Sequence, residues 1–232
     1  MKIISANVKI ITPADGKTIL KRLEQCGRVC YKSQAKVTED SYKKFIQNII
    51  SRGHEAVLEH CSFTVKFICD RGVSHEIVRH RLASYCQEST RYCNYSKNSF
   101  GNQITVIRPC YFDTGTRDQS NSLVYEEWKT ACEKAERSYF KLIEMGATPQ
   151  EARAVLPNSL KTEVVMTANI REWRHFLKLR CSKAAHPQMR EVALMLLEKA
   201  HDHTPILFDD IYGDWYPESE EIHDNQKGGK RA

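Results

Sequence analysis

Apolar residues recur along the chain with two periods, and each period predicts one kind of element. Ile19, Leu20, Leu23 and Cys26 follow helical spacing through residues 17–30, and Tyr42, Phe45, Ile46, Ile49 and Ile50 repeat it over 39–52 until Gly53 stops the run. Over residues 61–69 the period drops to two, with Phe63, Val65 and Phe67 on one face, which predicts a strand. Residues 104–107 read as a second short strand, and residues 1–9 as a strand-like opening.

Residues 72–83 carry Val73, Ile77 and Val78 as an expected buried stripe, so residues 79–81 fall at or near a helix end and 84–93 follow as a loop. Leu123, Val124, Trp128, Ala131, Ala135, Tyr139 and Leu142 mark a long helix over 120–145, which Gly146 terminates. Thr148 and Pro149 start a short helix that ends before Pro157. A β-branched run over 162–167 precedes a break at Asn169, and Trp173, Phe176 and Leu177 then pattern a helix over 170–179. Pro187 opens what reads as the last helix, with Met189, Val192, Leu196 and Ala200 inward. The expected fold is α+β: a single mixed domain over 1–217 around one core, long helices on a small antiparallel sheet, and a charged, flexible tail at 218–232.

Composition narrows the class without naming a function. The 232 residues fit one domain, and the apolar fraction of 41% with 28% charged residues is that of a folded globule. No apolar run is long enough to span a bilayer and the opening lacks a signal-peptide pattern, so a soluble, cytoplasmic protein with no membrane contact is expected. The nine cysteines, odd in number and irregularly spaced, are expected to be reduced thiols. A net charge of +6 would attract phosphorylated metabolites, nucleotides or nucleic acid.

The chemistry concentrates in residues 79–92, where Arg79, His80, Arg81 and Arg91 surround the hydroxyls of Ser84, Ser89 and Tyr92. Guanidinium groups pair with phosphate oxygens two at a time, so the segment reads as an anion site. A lone basic triplet would more simply be a solvated helix end; the Ser89-Thr90-Arg91-Tyr92 continuation argues against that. His54 with His60, and His75 with His80, are six and five positions apart, which fails the four-residue spacing of a zinc helix, so no metal is expected. Cys86 among cations could be a nucleophile, but a passive thiol is the simpler reading, and Cys26, Cys30, His201 and His203 lack a ligand set. Arg171 and His175 share a helical face that an anion could use. Neither a Gly-x-Gly-x-x-Gly nor a Walker loop occurs, so a bound dinucleotide would not lie in a Rossmann crevice.

Taken in order, Arg79-His80-Arg81 followed by Ser89 and Arg91-Tyr92 resembles the signature of flavin-dependent thymidylate synthases. Gly53-His54-Glu55 and Glu59-His60 before it, and residues 152–157, 167–171 and 176–180 after it, extend the resemblance over most of the chain. The resemblance implies methylation of dUMP to dTMP with methylenetetrahydrofolate as carbon donor, FAD as hydride carrier and NADPH as reductant, in a homotetramer with shared sites. It also implies FAD contacts at His54, Arg79, His80, Arg81, Gln87, Asn169, Ile170, Arg171 and His175. For dUMP it implies Glu76, Arg79, Gln87, Glu88, Ser89, Thr90, Arg91, Arg153 and Arg180, with Arg180 catalytic and Ser89 a binding residue rather than a nucleophile. Three positions depart from the family pattern: Glu76 where Gln is common, Ala56 where a hydroxyl is usual, and His175 where some members have Asn. The rival reading is a nucleic-acid binder using Arg79, Arg81, Arg91, Tyr85 and Tyr92, for which a broad basic stripe would be expected.

Overall fold

A computed structural model describes residues 1–11, 15–112 and 119–216. The tail expected at 218–232 lies outside these residues.

The strands are β1 (Lys2–Ile4), β2 (Asn7–Ile10), β3 (Ser62–Asp70), β4 (Ala83–Gln87), β5 (Thr105–Ile107) and β6 (Lys161–Asn169). The helices are α1 (Gly16–Val29), α2 (Ser41–Ser51), α3 (Arg71–Ile77), α4 (Gln119–Glu144), α5 (Pro149–Ala152), α6 (Ile170–Arg180), α7 (Pro187–His203) and α8 (Pro205–Trp215). The main sheet has the order β2-β3-β6-β4 with every neighbouring pair antiparallel, and β1 pairs separately with β5 in parallel. This is the α+β arrangement the periodicities predict.

Alternation decides which face of the sheet is buried. Phe63, Val65 and Phe67 of β3 and Val164, Met166 and Ala168 of β6 point into the core. There Trp173 of α6 stacks on Phe63 at 4.9 Å and donates its ring N–H to the Phe63 carbonyl at 3.0 Å. The opposite face is polar and cross-linked, with the hydroxyls of Thr64 and Thr167 at 2.9 Å and Lys66 on Glu163 at 2.9 Å. One buried face per strand fixes the register, and the register fixes which end of β6 meets which end of β4.

Four expectations are corrected. Ala83, expected at the helix end, and residues 84–87, expected in the loop, form β4: the segment Ala-Ser-Tyr-Cys-Gln lacks β-branched residues, and the ladder to β6 supplies the order its local propensity does not. Val78 is 38% exposed because α3 ends at Ile77, so the buried stripe is Val73 and Ile77 alone. The helix from Pro187 is not the last, since Thr204 breaks it and Pro205 starts α8, which buries Leu207, Phe208 and Ile211. The buried residues also form two clusters rather than one. The smaller holds Tyr95, Ile104, Cys132, Tyr139 and Leu160; β5 joins the two, with Ile107 in the larger and Val106 in the smaller.

Candidate active site

The site is organised by α6 and the turn after α3. Asn169 ends β6 and caps α6, its Oδ1 accepting from the Glu172 N–H at 2.8 Å, which leaves its amide NH2 to meet a ligand. Glu172, Phe176 and Arg180 fall at i, i+4 and i+8 and so share a face of α6. His80 lies on that face. Its ring is 4.7 Å from Phe176, its Nδ1 is 3.1 Å from Glu172 Oε1, and its Nε2 accepts from Arg180 Nε at 3.1 Å. Tyr85 of β4 pins the turn by donating to the carbonyls of Ile77 and His80 at 3.0 and 2.5 Å. Burial, together with the charges of Arg180 and His175, holds His80 below the ordinary histidine value despite the opposing pull of Glu172. The Arg79-His80-Arg81 triplet therefore divides: His80 turns inward and the two arginines stay exposed.

Arg180 reaches on to α3, donating from Nη1 to Glu76 Oε2 at 2.7 Å and from Nη2 to the Glu76 carbonyl at 3.2 Å. At the other end of β4, Gln87 Nε2 donates to Ser74 of α3 at 2.9 Å and to Thr162 at 3.3 Å. Glu88 turns its carboxylate inward onto Lys161 at 2.9 Å and the Tyr95 hydroxyl at 3.3 Å, while its carbonyl accepts from Arg71. Thr90 is buried and accepts from Arg153 Nη1 at 3.1 Å, which joins two candidate residues 63 positions apart. Ser89 caps its own turn by accepting from the Arg91 N–H at 3.3 Å, and Arg91 lies over the Tyr92 ring at 5.5 Å.

Two adjoining cavities flank the start of α6. One, of about 520 Å³, is lined by Glu55, Glu59, Leu82, Asn169, Arg171, Glu172 and His175. The other, of about 450 Å³, includes Tyr31, His54 and Ala56. Glu55 and Arg171 belong to both, so Arg171 stands on the wall between them, paired with Glu59 at 2.6 Å. A cavity of about 560 Å³ between Lys21 and Glu39 holds none of the candidate residues, so size alone does not locate the chemistry.

His54, Asn169, Arg171 and His175 thus gather around these cavities, with Ile170 buried beneath as the first residue of α6. Gln87, Glu88, Ser89, Thr90 and Arg153 gather at the far end of β4. The register pairs Ala83 with Ala168 and Gln87 with Val164, a separation of about 14 Å along the strand. Along β4 the two groups therefore lie at opposite ends of the strand. Glu55 and Glu59 stand in the sequence only as part of the resembling motif, without a role; Arg71, Lys161 and Glu172 are not legible as site residues there, and of these only Glu172 carries a signal, its spacing from Phe176 and Arg180.

Donor atoms of His80, Glu172 and His175 come within 4.8 Å of one another, close enough to suggest a metal. The chemistry of His80 opposes it. Arg180 can only donate, so Nε2 keeps its lone pair, and a cation on Nδ1 would require a ring stripped of both protons. The nine cysteines are all free, and Cys86 is exposed on the edge strand β4. Among the described residues, no helix is long and apolar enough to cross a membrane.

Residues 16–206 match the family model described as thymidylate synthase complementing protein. Similar proteins named flavin-dependent thymidylate synthase include one from Geobacter sulfurreducens, 35% identical over 190 residues, 79% of this chain and 78% of that protein. One from Corynebacterium efficiens is 34% identical over 218 residues, 89% of this chain and 84% of the relative. One from Pyrococcus abyssi is 34% identical over 165 residues, 71% of this chain and 64% of its own length. With the matched region spanning both the His80–Arg180 contact and the cavities at α6, the chain belongs to the thymidylate synthase complementing protein family, that of the flavin-dependent thymidylate synthases.

Proposed function

We propose that this protein is a cytoplasmic FAD-dependent thymidylate synthase, which converts dUMP to dTMP with a one-carbon unit from methylenetetrahydrofolate and reducing equivalents from NADPH. The observation that carries the reading is the meeting of Glu76 and His80, at the end of α3, with the Arg180 guanidinium about a hundred residues further along the chain.

The residues present fit a flavin dinucleotide. Two linked cavities, each within the usual range of about 300–1,000 Å³ for ligand sites, share a wall on which Arg171 stands. The Arg171–Glu59 pair is exposed and worth about 0–1 kcal/mol, so a diphosphate could replace the carboxylate at little cost. His54, Arg171, His175 and the free amide of Asn169 would hold the cofactor with His80, Arg79, Arg81 and Gln87 around it, and the bound flavin supplies the hydride carrier.

The nucleotide falls to the other group. Ser89, Thr90, Arg91 and Arg153 offer hydroxyl, backbone and guanidinium donors to a phosphate, with Gln87, Glu88 and Arg79 beside them. Arg180 uses three of its five N–H groups on His80 and Glu76, leaving two for the uracil ring, where a fixed positive charge would stabilise negative charge as C5 becomes nucleophilic. Since the two groups lie about 14 Å apart in one chain, a complete site would take residues from neighbouring copies, which supports a homotetramer with shared sites. The nucleic-acid reading is weakened at one of its stacking residues, because the Tyr85 ring packs against the core with its hydroxyl held inside the turn.

The test is purification followed by a visible spectrum and assay of dTMP formation with dUMP, methylenetetrahydrofolate and NADPH. A flavin-coloured protein that forms dTMP is the expected result. A colourless protein that refuses added FAD overturns the reading.

A further inference from the structure

Glu172 lines the same cavity as Arg171 and His175, yet turns its carboxylate to the inside, where its side chain is only 7% exposed. We propose that Glu172 is the positioning residue for Arg180: its carboxylate accepts the proton of His80 on Nδ1 and so fixes the tautomer, which makes Nε2 the acceptor that aims the guanidinium. The kinetic consequence rests on the thymidylate synthase reading; the structural one does not.

The tautomer of His80 follows from which neighbours can donate. A guanidinium has no acceptor, so the 3.1 Å contact between Arg180 Nε and His80 Nε2 requires a lone pair on Nε2. The ring proton then sits on Nδ1 and points at Glu172 Oε1, also at 3.1 Å. Moved to Nε2, the proton would face another donor and push Arg180 aside. Glu172 is itself fixed, its backbone N–H bonded to the Asn169 cap at 2.8 Å, and Phe176 packs against the imidazole. Two rigid elements thus converge on one torsion of Arg180: the helix carrying Glu172 and the turn that Tyr85 ties to β4. The charged and titratable groups around the ring are Glu172, His175 and Arg180 of α6, Glu76 of α3 behind Arg180, and Tyr85 at the His80 carbonyl.

The test joins a spectrum to kinetics on the purified, FAD-loaded protein. Nitrogen-15 NMR of histidine-labelled protein, with His80 assigned by its loss in His80→Gln, is expected to show a protonated Nδ1 and a bare Nε2 at neutral pH. Glu172→Ala is expected to lower kcat by about tenfold to a hundredfold, the effect of losing one charge-assisted hydrogen bond, with flavin content and KM for dUMP near the parent values. Glu172→Gln keeps an acceptor for Nδ1 and so most of kcat. It also lacks the charge that favours the imidazolium, so the acid limb of its pH profile moves to lower pH, which a residue that only packs would not cause. A parent protein with His80 protonated on Nε2, or Glu172→Ala with undiminished kcat, overturns the proposal. If the parent formed no dTMP, the functional reading would fail while the histidine spectrum still decided this one.

Discussion

Arg180 is the residue whose placement separates binding from turnover. Its Nε and one N–H of each Nη are bonded to His80 and Glu76, so its direction is set before any ligand arrives. Arg180→Ala is expected to reduce kcat far more than flavin content, compared by assay and by the ratio of flavin to protein absorbance; equal losses would remove its assigned role. Cys86 stands at the opposite pole of the expectations. It is exposed on β4, and Cys86→Ser is expected to keep substantial activity, so a folded but inactive variant would restore the thiol as a nucleophile. Sequence spacing brought Arg171 and His175 together correctly, because four residues along a helix is local geometry. It could not show that Glu88 faces Lys161 and Tyr95, since those partners are 73 and 7 residues away and only the folded strands bring them round.

At the level of elements, α6 is held at its start and at its middle by polar side chains. Asn169 caps its start, and Asn169→Ala is expected to cost about 1 kcal/mol in urea unfolding. Asn169→Asp keeps the cap oxygen while losing the amide donors, so it should retain stability and lose flavin affinity, measured by FAD titration. Arg174, buried on the same helix, donates to Asp210 of α8 at 2.8 and 2.7 Å, to Glu55 at 3.3 Å and to the Leu207 carbonyl. Arg174→Ala leaves Glu55 and Asp210 only the longer contacts of Lys178, at 3.9 and 3.6 Å, and should destabilise the protein by about 3 kcal/mol in urea melts, at the lower end for a broken buried pair because Asp210 still touches water. This clamp was illegible in the sequence: α8 follows a Thr-Pro break, and a buried arginine in a helix reads as a solvated one until its partner helix is in place.

Across the whole molecule, the decisive fact is that β4 holds the two groups of candidate residues apart. Mixing Arg171→Ala with Arg153→Ala, each inactive alone, is expected to restore part of the activity once subunits exchange, because some mixed sites would draw both wild-type residues from different copies. No recovery after verified exchange would count against shared sites. The sequence by itself determined the type of most elements and the buried face of β3, because periodicity is a local property of the chain. Only the tertiary structure decided that β4 is a strand, that Arg79 and His80 part company, and that Glu172 stands behind Arg180. Those outcomes depend on ladder pairing and on burial between segments about a hundred residues apart, where a contact exists only after packing has paid its entropy.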